Sequence, residues 1–194
     1  MMETWKQHYW ASVPIVRNRI EEVVKTVAGR DKTVLEIGCN EGFLSKALLE
    51  DGCIVTSADI DAAQIAKAKE MFDIQAIQAD ISSIPFPDQS FDIVVAGEVL
   101  EHVFNPFQGL SELFRVAREK VVITLPIGEY WLGEKTHQWM LEGACLEHDK
   151  GLQLAMTADT KHVLVLSWSR KRDHMYQDIP PFNTEDMKRR HAIP

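Results

Sequence analysis

The stretch Thr33 to Phe43, TVLEIGCNEGF, constrains this chain more than any other. A short apolar run, Val34-Leu35-Glu36-Ile37, stops at Gly38, and a second glycine follows at Gly42. Phe43, Leu44, Ala47 and Leu48 then recur at helical spacing. Strand, glycine turn and helix in that order are the context in which the glycines of a nucleotide-binding loop acquire meaning. Glycine lets the backbone approach a ligand closely, and the next helix aims its free N–H groups at the same place. Glu36 is the one residue here that a buried strand would not choose. The turn reads as a cradle for a cofactor.

From Asp31 onward the chain repeats that unit. The strand Thr33–Ile37 leads to a helix over Phe43–Glu50, and a strand Cys53–Ser57 leads to a helix over Ala62–Met71. Ile74–Gln78 gives a third strand, and a loop holding Pro85 and Pro87 leads to a fourth, Phe91–Ala96. A helix is expected from about Pro106 to Ala117, then a fifth strand, Lys120–Leu125, stopped by Pro126. This alternation requires a parallel sheet with helices on both faces. In such sheets ligands bind beyond the carboxyl ends of the strands. A further helix is expected over 138–147. Gly151–Met156 and His162–Trp168 read as strands whose connection is too short for a helical crossover, so they pair antiparallel.

Composition narrows the partners. A net charge of −8 over 194 residues argues against a general nucleic-acid binder, which needs a basic surface. Three cysteines in no CxxC pair fit reduced thiols in a cytoplasmic protein. His137, Cys145 and His148 are close in sequence but lack zinc-ligand spacing, so no metal is expected. No run has signal-peptide or membrane-spanning character, which predicts a soluble chain without a membrane partner.

Three acids fall at three strand ends: Glu36, Asp59 and Asp80. In a parallel sheet they project from one edge, around the glycine turn. Asp59, about 20 residues past the turn, can accept from both ribose hydroxyls of a nucleoside and rejects a 2′-phosphate. Asp80 can accept from an adenine amine, with Ile60 and Ile81 on either side of the ring. Glu36 faces the amino-acid end of a cofactor. An acidic setting suits a cationic cofactor better than a pyrophosphate.

The ordered set LEIGCNEG, ADID and QADISSIPFPDQSFDIVVAGEVLEHV resembles the class I S-adenosylmethionine-dependent methyltransferases, in particular their small-molecule, type 11-like branch. The resemblance covers roughly residues 30 to 126. It implies a single Rossmann-like, doubly wound α/β domain, with a mostly parallel seven-stranded sheet, the last strand antiparallel and helices on both faces. Residues 1–29 then form an N-terminal helical cap, interrupted at Pro14, and 169–194 a polar extension on the surface. Glu36, Gly38, Asn40 and Gly42 correspond to the acidic, glycine-rich loop. Asn40 stands where many members have a second glycine, and asparagine tolerates left-handed backbone angles better than most residues. By the same resemblance Asp59 binds the ribose, Asp80 with the Ile81 backbone the adenine, and Gly97 and Glu98 lie beside the methionine moiety.

The activity implied is in-line transfer of a methyl group from S-adenosylmethionine to an oxygen, nitrogen or carbon of a small molecule, releasing S-adenosylhomocysteine. His102, in GEVLEHV, is the candidate base where the acceptor must lose a proton, and His137 is a second candidate. Tyr9, Trp10, Tyr130, Trp131 and Trp139 could wall an aromatic acceptor pocket or form a homodimer interface. Arg17, Arg19 and the basic tail leave a protein or RNA acceptor open, against the overall acidity. Two other readings stand beside this one: a non-catalytic cofactor-binding or assembly protein of the same fold, and a nicotinamide-dependent oxidoreductase. The latter lacks a Y-x-x-x-K pair, since Tyr130 is followed by lysine only at Lys135.

Overall fold

A computed structural model describes residues 6, 13–126, 136–141, 152–156, 163–169 and 187–189. Five strands run parallel in the order β3-β2-β1-β4-β5: β1 (Thr33–Ile37), β2 (Ile54–Asp59), β3 (Ile77–Gln78), β4 (Phe91–Gly97) and β5 (Ala117–Pro126). The connecting helices are α2 (Phe43–Glu50), α3 (Ala62–Phe72) and α4 (Pro106–Val116), preceded by α1 (Pro14–Val27). This is the expected α/β, Rossmann-like arrangement around a parallel sheet. At the far edge β8 (Val163–Ser169) pairs antiparallel with β5, and β7 (Leu152–Met156) pairs antiparallel with β8.

The period of two along the central strands decides which helix lies on which face. Leu35, Ile37, Val94, Ala96, Val121 and Ile123 point one way and pack against Leu110, Leu113 and Val116 of α4. Val34, Ile93, Val95 and Val122 point the other way, onto Val23 and Val27 of α1 and Leu48 of α2. Ile20, Ala47, Ala68 and Phe72 then join α1, α2 and α3 in a third cluster. Glu36 falls between Val34 and the strand end, on the α1–α2 face.

Local sequence explains most of the element ends. Pro14 opens α1, where its missing N–H is no loss, and Ala28 closes it in the left-handed conformation. Asp61 caps α3 through a hydrogen bond from the Ala63 N–H, and Asn105 caps α4 through one from the Gln108 N–H, ahead of Pro106. Any helix before Pro14 lies outside the described residues.

Four expectations need correction. Trp139–Leu141 is not the start of a helix but a strand, β6, paired antiparallel with β9 (Met187–Arg189). The extension beyond 169 therefore supplies a strand, and its partner lies over 40 residues away, where no local pattern reveals it. The third strand is only Ile77–Gln78, because Ile74 leaves the ladder to pack with Phe72 under α3. Pro126 itself belongs to β5, paired opposite Val163, so the strand runs one residue past the expected end.

Candidate functional site

The carboxyl ends of β1, β2 and β4 open onto a cavity of about 630 Å³. Its lining includes every residue predicted to hold a cofactor except Gly42: Glu36, Gly38, Asn40, Asp59, Ile60, Asp80, Ile81, Gly97 and Glu98. Gly42 instead caps α2 in a left-handed conformation (φ 85°), backed by Ile74 and Ala68.

Three residues of the glycine turn have positive φ: Gly38, Asn40 and Gly42. Gly38 has φ +81°, and a Cβ there would stand 2.3 Å from Cγ2 of Val99, so only glycine fits. Asn40 has φ 49°, the left-handed conformation that suits asparagine. The departure at this position leaves the turn intact. The N–H groups of Gly38 and Cys39 both donate to the Ala58 carbonyl, at 2.8 and 2.9 Å, tying the turn to β2.

Asp59 is the pivot of that tie. It is 8% exposed, and its Oδ2 accepts from the Asn40 N–H at 2.7 Å while Oδ1 accepts from the Asp61 N–H at 2.9 Å. Each oxygen has a further lone pair for a ligand hydroxyl. Asp80 is exposed to the cavity, with one oxygen held by the Ser82 N–H at 2.7 Å. The two isoleucines part company. Ile60 is 63% exposed at the cavity wall, an apolar face with nothing yet upon it, whereas Ile81 is 4% exposed and packed beside Gly109. Both line the cavity, and they differ in how much surface they expose.

Glu36 is 3% exposed and takes a hydrogen bond from the Ser45 hydroxyl, which also pairs with the Ser57 hydroxyl at 2.6 Å. Burial pushes its carboxyl up to about 8, with the Ser45 bond and Arg19 opposing and Asp59 adding. Glu36 thus joins β1 to α2 as well as facing the cavity. Burial and the neighbouring Glu36 and Asp59 push the thiol of Cys39 well up, which favours the thiol over the thiolate.

Several residues of the site escaped sequence reasoning. Arg19 of α1 reaches the cavity and forms an ion pair with Glu98. Glu98 itself has a left-handed backbone (φ 54°), and its N–H donates to the Thr124 carbonyl at 3.0 Å. Phe104, 74% exposed, adds apolar area to the wall. Glu101 is marked in sequence only as an acid immediately before His102, in the turn after β4.

Both candidate histidines come together. His102 lines the cavity, and its ring lies 4.8 Å from that of His137, which is 5% exposed. Glu101, 1% exposed, completes the group, and burial pushes its carboxyl up to about 8. Tyr9, Trp10, Tyr130 and Trp131 lie outside the described residues, and Trp139 is the first residue of β6.

Comparison with known proteins agrees with this geometry. A family described as a methyltransferase domain matches residues 35–125. A probable S-adenosylmethionine-dependent methyltransferase of Mycolicibacterium smegmatis is 36% identical over 92 residues, 47% of this chain and 35% of that protein. A ubiquinone biosynthesis O-methyltransferase of Coxiella burnetii is 34% identical over 93 residues, 45% of this chain and 40% of that protein. The chain thus spans two-fifths or less of the length of these relatives. Among solved structures, the magnesium protoporphyrin IX methyltransferase of Synechocystis with bound S-adenosylhomocysteine superposes with a TM-score of 0.63 at 17% identity, over 84% of this chain and 88% of that one. That likeness shows the fold alone.

Proposed function

We propose that this chain, whose residues 35–125 match a methyltransferase domain, is a class I S-adenosylmethionine-dependent enzyme that transfers the methyl group of S-adenosylmethionine to a small organic acceptor. The observation that carries this reading is the coincidence of the cavity with the predicted cofactor set. Glu41, Asp59, Asp80 and Glu98 line it beside the buried Glu36 carboxyl, against Arg19, which is itself paired with Glu98. A sulfonium cofactor bearing an ammonium group suits that balance, and a pyrophosphate does not.

The roles follow from position. Asp59 accepts from the ribose hydroxyls, Ile60 and Asp80 receive the adenine, and Gly97 and Glu98 border the methionine end. Methyl transfer is an in-line displacement at carbon with a good leaving group, so the protein mainly aligns the reactants. His102 and His137 stand on the acceptor side. The name of one relative, a ubiquinone biosynthesis O-methyltransferase, favours a small-molecule acceptor. We further assign β7 and β8 to the far edge of the expected seven-stranded sheet, and the enzyme to the cytoplasm. No described helix is long and apolar enough to cross a membrane.

Calorimetry with S-adenosylmethionine tests the cofactor, and an assay for S-adenosylhomocysteine release across an acceptor panel tests the chemistry. Binding with no turnover on any acceptor would favour a non-catalytic role. Light scattering on a Trp131→Ala variant separates an acceptor pocket from a homodimer interface: a dimer that dissociates while activity survives removes the pocket reading.

A further inference from the structure

Beside the cofactor cavity lies a group of side chains that the binding of S-adenosylmethionine leaves unexplained. Glu101 is 1% exposed, and neither of its carboxylate oxygens has a hydrogen-bond partner among the described residues. A carboxylate so placed is costly unless an opposite charge or a metal ion meets it. What stands nearest is imidazole, while Arg19 acts on it through its charge without a hydrogen bond. One ligand atom from each of Glu101, His102 and His137 lies within 4.8 Å of the other two.

Three bonds hold this group together. The Gln138 N–H donates to the Glu101 carbonyl at 2.6 Å, and the Gln138 side-chain amide donates to the His102 carbonyl at 2.8 Å. These pin the 136–138 segment onto the turn after β4. The Thr136 hydroxyl pairs with His102 Nδ1 at 3.1 Å, while His102 Nε2 stands 3.9 Å from Oε1 of Glu101. An outer partner on one imidazole nitrogen that leaves the other turned inward is the arrangement that orients metal-binding histidines.

We propose that Glu101, His102 and His137 form a divalent transition-metal site bordering the cavity, where the ion holds a hydroxyl group of the acceptor for methylation at oxygen. This rests on the methyltransferase reading above and adds to it the class of acceptor. It replaces the sequence-based expectation of a metal-free site, which considered only the spacing of His137, Cys145 and His148. Two imidazoles with one carboxylate suit Zn²⁺, Mn²⁺ or Co²⁺, whereas Mg²⁺ and Ca²⁺ prefer all-oxygen ligands. Ligand atoms around an ion at about 2.1 Å stand roughly 3–3.4 Å apart, so the group closes by about 1 Å on loading. Three protein ligands leave positions open for a hydroxyl.

The balance of the step is simple. An acceptor hydroxyl on the ion gives up its proton to water, because the ion lowers its pKa. The oxygen then forms a bond to the methyl carbon as the carbon–sulfur bond breaks, with its electron pair going to sulfur. An alcohol or phenol and a sulfonium become an ether, a thioether and one proton, and nothing is oxidised or reduced. His102 serves as a ligand in this scheme and not as the base.

The test is titration of the metal-depleted full chain with Zn²⁺ alone and Mg²⁺ alone, with Co²⁺ absorption as a spectroscopic readout. One equivalent of Zn²⁺ is expected, at least ~100-fold tighter than Mg²⁺ on the ligand preferences above. Glu101→Gln and His137→Ala should each weaken Zn²⁺ by ~100-fold or more and alter the Co²⁺ spectrum, as losing one of three ligands requires. Glu101→Gln is nearly isosteric at a buried position whose carboxylate oxygens have no hydrogen-bond partner among the described residues, so it keeps the fold even if His137→Ala does not. Both variants should retain the wild-type affinity for S-adenosylmethionine. Absence of Zn²⁺ binding to the wild type, or equal binding by a folded Glu101→Gln, overturns the site. Zn²⁺ binding without any S-adenosylmethionine binding upholds the metal site and overturns its role in methylation.

Discussion

Asp59→Asn is the substitution that reads the cofactor site and its scaffold at once. The native carboxylate accepts two backbone N–H groups, from Asn40 at 2.7 Å and from Asp61 at 2.9 Å. Asparagine keeps one acceptor and turns an NH₂ onto the other donor, so at least one charge-assisted bond is lost at a site only 8% exposed. Such bonds contribute about 1.5–3 kcal/mol. For a chain of this size each kcal/mol shifts the melting temperature by about 2–4 °C, so a fall of about 3–12 °C is expected without ligand. The same substitution removes a hydrogen bond to the ribose, again about 1.5–3 kcal/mol, or roughly a 10- to 150-fold weaker affinity for S-adenosylmethionine. Differential scanning fluorimetry reads the first effect and calorimetry the second. A folded variant with unchanged affinity refutes the ribose assignment, and an unchanged melting temperature refutes the role of Asp59 as pivot of the turn.

Gly38→Ala places a methyl group 2.3 Å from Val99 Cγ2 at φ +81°; urea denaturation should show a loss of about 2–4 kcal/mol, partly recovered by adding Val99→Ala. Ile60→Ala removes an apolar side chain that is 63% exposed without ligand. Its stability should stay within about 0.5 kcal/mol of wild type while S-adenosylmethionine binding weakens by about 1–2 kcal/mol, and equal loss of both argues that Ile60 serves the fold. Glu36, facing Asp59, Arg19 and Cys39, gives a pH dependence. Its folded value of about 8 lies above the ordinary 4.5, so the folded protein holds this proton more tightly. That contribution is whole below 4.5 and is lost as pH rises through about 8, so the melting temperature of the ligand-free protein should fall from pH 5 to pH 8.5. Glu36→Gln should flatten this slope only in part, because burial raises Glu101 in the same direction.

Much of the cofactor site was legible because each of its residues is announced by its own neighbours in sequence. Gly38 ends an apolar strand and opens a helix, and Asp59 and Asp80 follow strands whose parallel direction fixes where they point. The structure brings them to one cavity for that reason. What stayed hidden depends on contacts between distant segments. Arg19 reads as one charge among several on an amphipathic helix until α1 crosses the mouth of the sheet and meets Glu98. The proximity of His102 and His137 is set by Gln138, whose two bonds bridge about 36 residues. Trp139–Leu141 carries a pattern compatible with helix, and only pairing with Met187–Arg189 makes it a strand. Ile81 shows the converse limit, since sequence places it correctly at the cavity but not which way its side chain packs.

The central claim is that the cavity between Glu36, Asp59 and Asp80 holds S-adenosylmethionine. A crystal structure with S-adenosylhomocysteine bound tests it most directly. The ribose hydroxyls should lie on the Asp59 carboxylate, the adenine against Ile60 with its amine toward Asp80, and the amino-acid end beside Gly97 and Glu98. A ligand bound elsewhere, or one whose adenine and ribose avoid both aspartates, contradicts it.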